Sequence, residues 1–283
     1  MTPPPRSWLF VPADSEKKIA KALASDADAV ILDLEDSVAE ARKPVARTIA
    51  AEALARAGEG PQRWVRINPL STGLAEDDIA AVAGLPIAGL VLPKAESGAD
   101  VARLAAMLDG ADFRIHAVAT ETAASLFGLG AYVGAPRLAA MSWGAEDLSA
   151  ALGASSKYDA DGRLSFTFRM ARSLCLAGAV AAGAQPVDGI FADFRDADGL
   201  RAEAEAAARE GFTGKLAIHP DQIAAINAAF TPSDEAVAAA RRIVAAFAAD
   251  PDAGTIALDG RMLDRPHLVS AEWLLARLRR WTR

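Results

Sequence analysis

Two apolar runs in this chain stop abruptly at carboxylates. The run at 117–121, AVATE, ends at Thr120-Glu121, and the run at 138–144 leads into Gly144-Ala145-Glu146-Asp147. Carboxylate oxygens are hard donors. Two of them at neighbouring strand mouths can hold a divalent cation, Mg2+ with Mn2+ as a substitute, and leave coordination positions open for substrate. Each acid alone also fits the first turn of a following helix, where negative charge meets the positive dipole end. The pair together favours the metal. A third cluster, Asp33-Leu34-Glu35-Asp36, closes another apolar run. Like charges this close need cations or hydrogen bonds to offset them, so the cluster reads either as a solvated acidic loop or as support for a metal site. Arg66 lies in the closing stretch, Arg66–Asn68, of the run at 63–68 and is one of few cations at such an end. Its planar fork suits a substrate carboxylate, and it equally suits an ion pair with the acidic cluster.

These side chains require elements whose ends converge. Apolar runs at 7–12, 29–34, 63–68, 89–94, 114–120, 138–144, 187–193 and 215–220 alternate with Ala-, Glu- and Lys-rich stretches of good helix propensity. Continuous apolar character fits strands buried on both faces. Eight such strands, each followed by a helix, predict an α/β fold of the TIM (β/α)8 barrel type, in which strand C-terminal ends share one face. A doubly wound open sheet is the rival. It usually carries a glycine-rich phosphate loop after its first strand, and here that strand ends in Val11-Pro12-Ala13-Asp14. The predicted organisation is a catalytic barrel over 1–230 and a C-terminal helical extension or lid over 231–283, with helices at 221–230, 233–249 and 269–281. The stretch 155–162, SSKYDADG, reads as a surface loop.

The chain has 283 residues, 52% hydrophobic and 24% charged, with a net charge of −7. That balance argues against nucleic acid, which needs a clustered basic face, and weakly against an anionic membrane surface. A phosphorylated coenzyme needs only a few local cations. The single cysteine, Cys175, excludes a disulfide framework and a cysteine-built metal site, and its apolar helical setting predicts an inert buried thiol. No run approaches the roughly 20 apolar residues of a membrane span, and the N-terminus lacks the pattern of a signal peptide. A soluble cytoplasmic protein is the expectation.

Several motifs resemble the citrate lyase β-subunit family, within the wider citrate lyase/malyl-CoA lyase group of Mg2+-dependent carbon–carbon lyases. They are RSWLFVP from Arg6, ILDLEDSV from Ile31, VRIN from Val65, LPK from Leu92, TET from Thr120, GAEDL from Gly144, IHPDQI from Ile218 and GRMLDRP from Gly260. The resemblance runs from Arg6 to the last helix. It implies reversible Claisen-type cleavage of a 3-hydroxyacyl-CoA such as citryl-, malyl- or citramalyl-CoA into an acyl-CoA and an oxo acid. It assigns Mg2+ to Glu121 and Asp147, the oxo acid to Arg66 and Gly144, and ordering of water or substrate to Asp36 and Glu35. Arg6 and the lysines that follow (Lys17, Lys18 and Lys21) are implied near the coenzyme A phosphates. Asp264 is implied to act in a neighbouring subunit's site, in a homotrimer or hexamer. The resemblance also admits the carrier and transferase subunits that partner citrate lyase. Ala13 stands where glycine commonly follows Val-Pro. Related aldolases on free hydroxy-oxo acids carry a histidine beside the acids of the second strand. Here that place reads DLED, and His116, His219 and His267 lie elsewhere. A metal-dependent aldolase and a non-catalytic barrel that binds CoA or an oxo acid are the alternatives.

Overall fold

Parallel strands covered on both faces carry no alternation of polar and apolar residues, and each apolar run becomes such a strand. In the computed structural model, which describes residues 4–56, 58–108 and 110–281, they are β1 (Ser7–Pro12), β2 (Ala29–Asp33), β3 (Gln62–Arg66), β4 (Gly89–Leu92), β5 (Arg114–Val118), β6 (Leu138–Ser142), β7 (Gln185–Asp188) and β8 (Gly214–Ala217). They pair in chain order into a closed parallel barrel, and β1 meets β8 through Trp8↔Leu216. This is the TIM barrel the periodicity predicts.

All eight strands send side chains into one apolar interior, among them Trp8, Trp64, Val91, Val118, Val187 and Leu216. Gly89 makes room for Trp64, since a Cβ there would lie 2.5 Å from the indole. His116 on β5 packs edge-on to Trp8 with ring centroids 4.7 Å apart, and its Nε2 lies 2.9 Å from Ser142 Oγ. Burial pushes this imidazole down to about 3. A filled interior is a core and not a channel, so chemistry is left to the strand ends.

Helices follow the strands, with two variations. Between β5 and β6 there is only a single turn, Ser125–Gly128, and a 3-10 segment, Leu129–Tyr132. After β6 there are two helices, Ala145–Leu152 and Phe166–Ala181. Cys175 is buried in the second, and burial raises its thiol to about 12, as an inert core cysteine requires. Among the described residues no helix is long and apolar enough to cross a membrane.

The seventh strand departs from the run 187–193, because the chain leaves the sheet after Asp188. That carboxylate accepts from Trp143 Nε1 at 2.7 Å, Arg172 Nε at 2.8 Å and Lys215 Nζ at 2.9 Å. The next residue, Gly189, lies so close to Trp143 that a Cβ would be 2.9 Å from the indole nitrogen. The eighth strand also stops early. His219 caps the 3-10 turn Pro220–Gln222, its Nδ1 accepting from Asp221 N–H at 3.2 Å.

The described residues divide into two compact units, one within 5–228 and one made of 229–281 with Pro4. The second contains the helix Asp234–Ala249, capped by Ser233, and the helix Arg265–Trp281. Between them runs a hairpin of β9 (Thr255–Leu258) and β10 (Arg261–Asp264). Asp259 and Gly260, at φ 51° and 75°, form its two-residue turn, the geometry that matches strand twist and favours Asp-Gly. The last helix starts before 269, since Pro266 is tolerated in a first turn where its missing N–H has no partner to lose.

Candidate active site

The acids and cations that end β2 to β6 gather at one mouth of the barrel. Asp33, the last residue of β2, faces Arg66 across the β2–β3 register. Arg66 donates from Nε and Nη2 to the two Asp33 oxygens, each at 2.7 Å, and its guanidinium lies 4.7 Å from the Phe10 ring centroid. Burial alone would raise the Asp33 pKa, but Arg66, the Ser37 side chain and the Glu35 N–H outweigh it and hold the carboxyl low, and the N–H groups of Glu35 and Ser37 both donate to it. The turn that follows is therefore tied to Asp33. It carries Glu35 inward and leaves Asp36 half exposed. Glu35 Oε2 is buried and forms an ion pair with Arg66 Nη1 at 3.0 Å, without the alignment of a hydrogen bond. Asp36 Oδ2 is 4.0 Å from the same nitrogen.

Glu121 follows β5 and is 4% exposed. Its Oε2 accepts from Lys94 N–H at 2.5 Å. Burial pushes this carboxyl up to about 8, against the Lys94 N–H, and the charges of Asp147 and Glu35 add to the rise. Gly144 follows β6, and a Cβ there would sit 2.7 Å from Glu121 Cγ, so only glycine lets the two strand ends approach this closely. Gly144 N–H donates to Thr120 Oγ1 at 3.1 Å, fixing the turn that opens the helix Ala145–Leu152. Asp147 stands in the first turn of that helix, its Oδ1 3.3 Å from Lys94 Nζ.

Among the described residues no three or more His, Cys, Asp and Glu side chains form a metal cage. A cation at this mouth would take two protein ligands, Glu121 and Asp147. That donor set fits Mg2+, which commonly keeps several waters and takes only one or two carboxylates. The mutual repulsion felt by Glu121 fits it as well, because a divalent ion would relieve that repulsion.

Glu35, Asp36, Arg66, Glu121, Gly144 and Asp147 are thus brought together. Arg6 is not. It precedes β1, at the opposite end of the strands, and its guanidinium is held by Asp28 at 2.8 and 2.9 Å. Lys18 lies exposed in the first turn of the helix Glu16–Leu23, beyond the other end of β1. Asp264 ends β10 in the second unit, where its Oδ1 lies 2.5 Å from His267 Nδ1. Lys94 was missed as a site residue. Its position at a strand end after Pro93 was the available signal.

The family model described as HpcH/HpaI aldolase/citrate lyase matches residues 6–220. A citrate lyase subunit beta-like protein from Mycobacterium tuberculosis is 42% identical over 271 residues, 95% of this chain and 94% of that protein. A (3S)-malyl-CoA thioesterase from Cereibacter sphaeroides is 37% identical over 277 residues, 97% and 94% of the two chains. The crystal structure of protein CitE from M. tuberculosis in complex with magnesium, acetoacetate and coenzyme A superimposes with a TM-score of 0.80 at 41% identity, covering 96% of this chain and 97% of that one.

Proposed function

The chain belongs to the HpcH/HpaI aldolase/citrate lyase family, and on that premise we propose that it is a Mg2+-dependent oxo-acid lyase. It cleaves a 3-hydroxyacyl-CoA of the citryl-, malyl- or citramalyl-CoA type into an acyl-CoA and an oxo acid, and runs the reverse condensation. The observation that carries this reading is the meeting of Glu121 and Asp147 at adjacent strand mouths, beside Arg66 and the acids of the β2 turn.

Glu121 and Asp147 would hold the ion, which when bound supplies a Lewis acid to the oxo acid's oxygens and draws charge from the carbonyl that forms. Asp33 holds the Arg66 fork flat at the barrel mouth and leaves the Nη1 edge turned toward Glu35 and Asp36. From there Arg66 binds the oxo-acid carboxylate and offsets charge on the oxygen as it changes hybridisation. Cleavage passes the 3-hydroxyl proton to water ordered by Asp36 and Glu35, breaks the bond between the α- and β-carbons as the oxo acid's carbonyl forms, and leaves the electron pair on the thioester as an enolate. Asp36, with Glu35 behind it, orients the hydroxyl side, and Lys18 serves the coenzyme phosphates. We assign return of the proton at the α-carbon to Asp264 of a neighbouring subunit in a trimer or hexamer. Catalysis then belongs to 1–230, and 231–283 is its lid or interface. The cytoplasm is the compartment this reading assigns, supported by a lone cysteine kept as a buried thiol.

The thioester reading is preferred over a free-acid aldolase because the β2 end reads DLED and, among the described residues, no histidine stands at that mouth. His116 is sealed in the barrel interior, and its depressed pKa leaves it neutral. A mass-spectrometric screen of hydroxyacyl-CoA esters with Mg2+ tests the proposal. Equal amounts of oxo acid and shortened acyl-CoA are expected. Free CoA with an intact hydroxy acid would make the protein a thioesterase. Turnover of a hydroxy-oxo acid without CoA would make it an aldolase, and CoA binding without turnover a non-catalytic barrel.

A further inference from the structure

Lys94 has no part in the reading above, yet it contacts four acids of the mouth, Glu35, Asp36, Glu121 and Asp147. Its ammonium lies 2.5 Å from Glu35 Oε1, 3.3 Å from Asp147 Oδ1 and 3.5 Å from Asp36 Oδ2. Its backbone N–H donates to Glu121 Oε2 at 2.5 Å. One residue therefore contacts both carboxylates assigned to Mg2+ and both acids of the β2 turn. Its backbone is left-handed, at φ 52°, a conformation that costs energy for any residue with a Cβ and persists where its surroundings hold it. Glu121 holds it at the N–H, and the three other carboxylates hold it at the ammonium. Lysine suits such a post, as a compact charge on a stem that can swing.

Resting on the assignment of Mg2+ to Glu121 and Asp147, we propose that Lys94 is a tethered cation that competes with Mg2+ for this acidic cluster. The ammonium neutralises the carboxylates and keeps Glu35 and Asp147 facing one another before metal arrives. Binding of the ion requires the ammonium to leave Asp147. The backbone N–H stays on Glu121 throughout, so that ligand keeps its place while the side chain moves. Lys94 is on this view a positioning residue. It sets metal affinity and lets the cluster fold without metal.

The test is a calorimetric titration of Mg2+ into wild type, Lys94→Met and Lys94→Arg, with thermal unfolding in chelator and at saturating Mg2+. Removing a positive charge about 3 Å from a ligand oxygen should tighten Mg2+ binding by at least about 10-fold in Lys94→Met. The same variant should unfold at lower temperature than wild type in chelator and regain most of the difference with Mg2+. Lys94→Arg should stay near wild type in affinity. A merely structural lysine would lower stability equally in both conditions and would not tighten binding. Lys94→Met that binds Mg2+ no more tightly than wild type, or whose lost stability Mg2+ does not restore, overturns the competition. If Lys94→Met does not fold in chelator, Lys94→Gln replaces it in the same titration, and failure of both to fold at saturating Mg2+ also overturns it. A wild-type protein that binds no Mg2+ overturns the ligand assignment, and the competition with it.

Discussion

Replacing Arg66 with lysine keeps the charge and removes the fork. Two donor bonds of 2.7 Å join Arg66 to Asp33, and a third nitrogen faces Glu35 at 3.0 Å. One ammonium can satisfy only part of this, so at least one charge-assisted bond is lost, at about 1.5–3 kcal/mol. With about 2–4 °C of Tm per kcal/mol for a domain near this size, the melting temperature should fall by about 3–12 °C. The same fork is assigned to the oxo acid. Losing about 2–3 kcal/mol of transition-state binding should lower kcat/KM by about 30- to 150-fold. The assay is steady-state release of oxo acid at saturating Mg2+, beside thermal melts of both proteins. A variant with lowered Tm but kcat/KM within about threefold of wild type would mean that Arg66 only braces Asp33. An unchanged Tm would refute the structural half of the argument.

Three further outcomes follow from the same geometry. Gly144→Ala should weaken Mg2+ binding by about 10-fold or more, measured by calorimetry, because the new Cβ would meet Glu121 Cγ at 2.7 Å; unchanged affinity would show that the close approach is dispensable. Lys215→Met leaves buried Asp188 with one of its two cations removed and should cost about 3–5 kcal/mol, lowering Tm by about 6–20 °C; a change within about 2 °C would contradict this. His116 stays neutral in the folded state down to about pH 3, whereas the unfolded chain takes up a proton below about pH 6.5. Stability from this group is therefore complete above pH 6.5 and is lost as pH falls toward 3, at up to about 1.4 kcal/mol per pH unit. Urea unfolding at pH 6.5 and pH 5 should show a steeper loss in wild type than in His116→Gln, and equal losses would refute it.

The barrel was legible because strands buried on both faces write themselves as uninterrupted apolar runs, and because their polar ends were visible as a set. Glu121, Asp147, Glu35 and Arg66 were found that way, and the structure brings them to one mouth. The shortened β7 was not legible. Ile190 and Phe191 prolong the apolar pattern, and what ends the strand is the buried grouping of Asp188 with Trp143, Arg172 and Lys215, residues distant in sequence. Arg6 was placed by resemblance near the coenzyme, although its position before β1 already set it at the other end of the strand. The hairpin at 255–264 was signalled by Asp259-Gly260 but masked by its two short, half-exposed strands. Lys94 was visible as a strand end. Its charge partners come from the loops after two other strands, β2 and β6, which no local pattern reports.

The most direct measurement is the rate of oxo-acid release from a cleavable hydroxyacyl-CoA as a function of Mg2+, in wild type and in Glu121→Gln. Glutamine keeps the shape of a side chain whose carboxyl is already pushed up to about 8, so the variant should fold as wild type does. The account predicts that wild-type activity saturates with Mg2+ and vanishes in chelator, and that Glu121→Gln shows no turnover at the Mg2+ concentration that saturates wild type. Cleavage without metal, or a variant with the wild-type Mg2+ dependence, would contradict it.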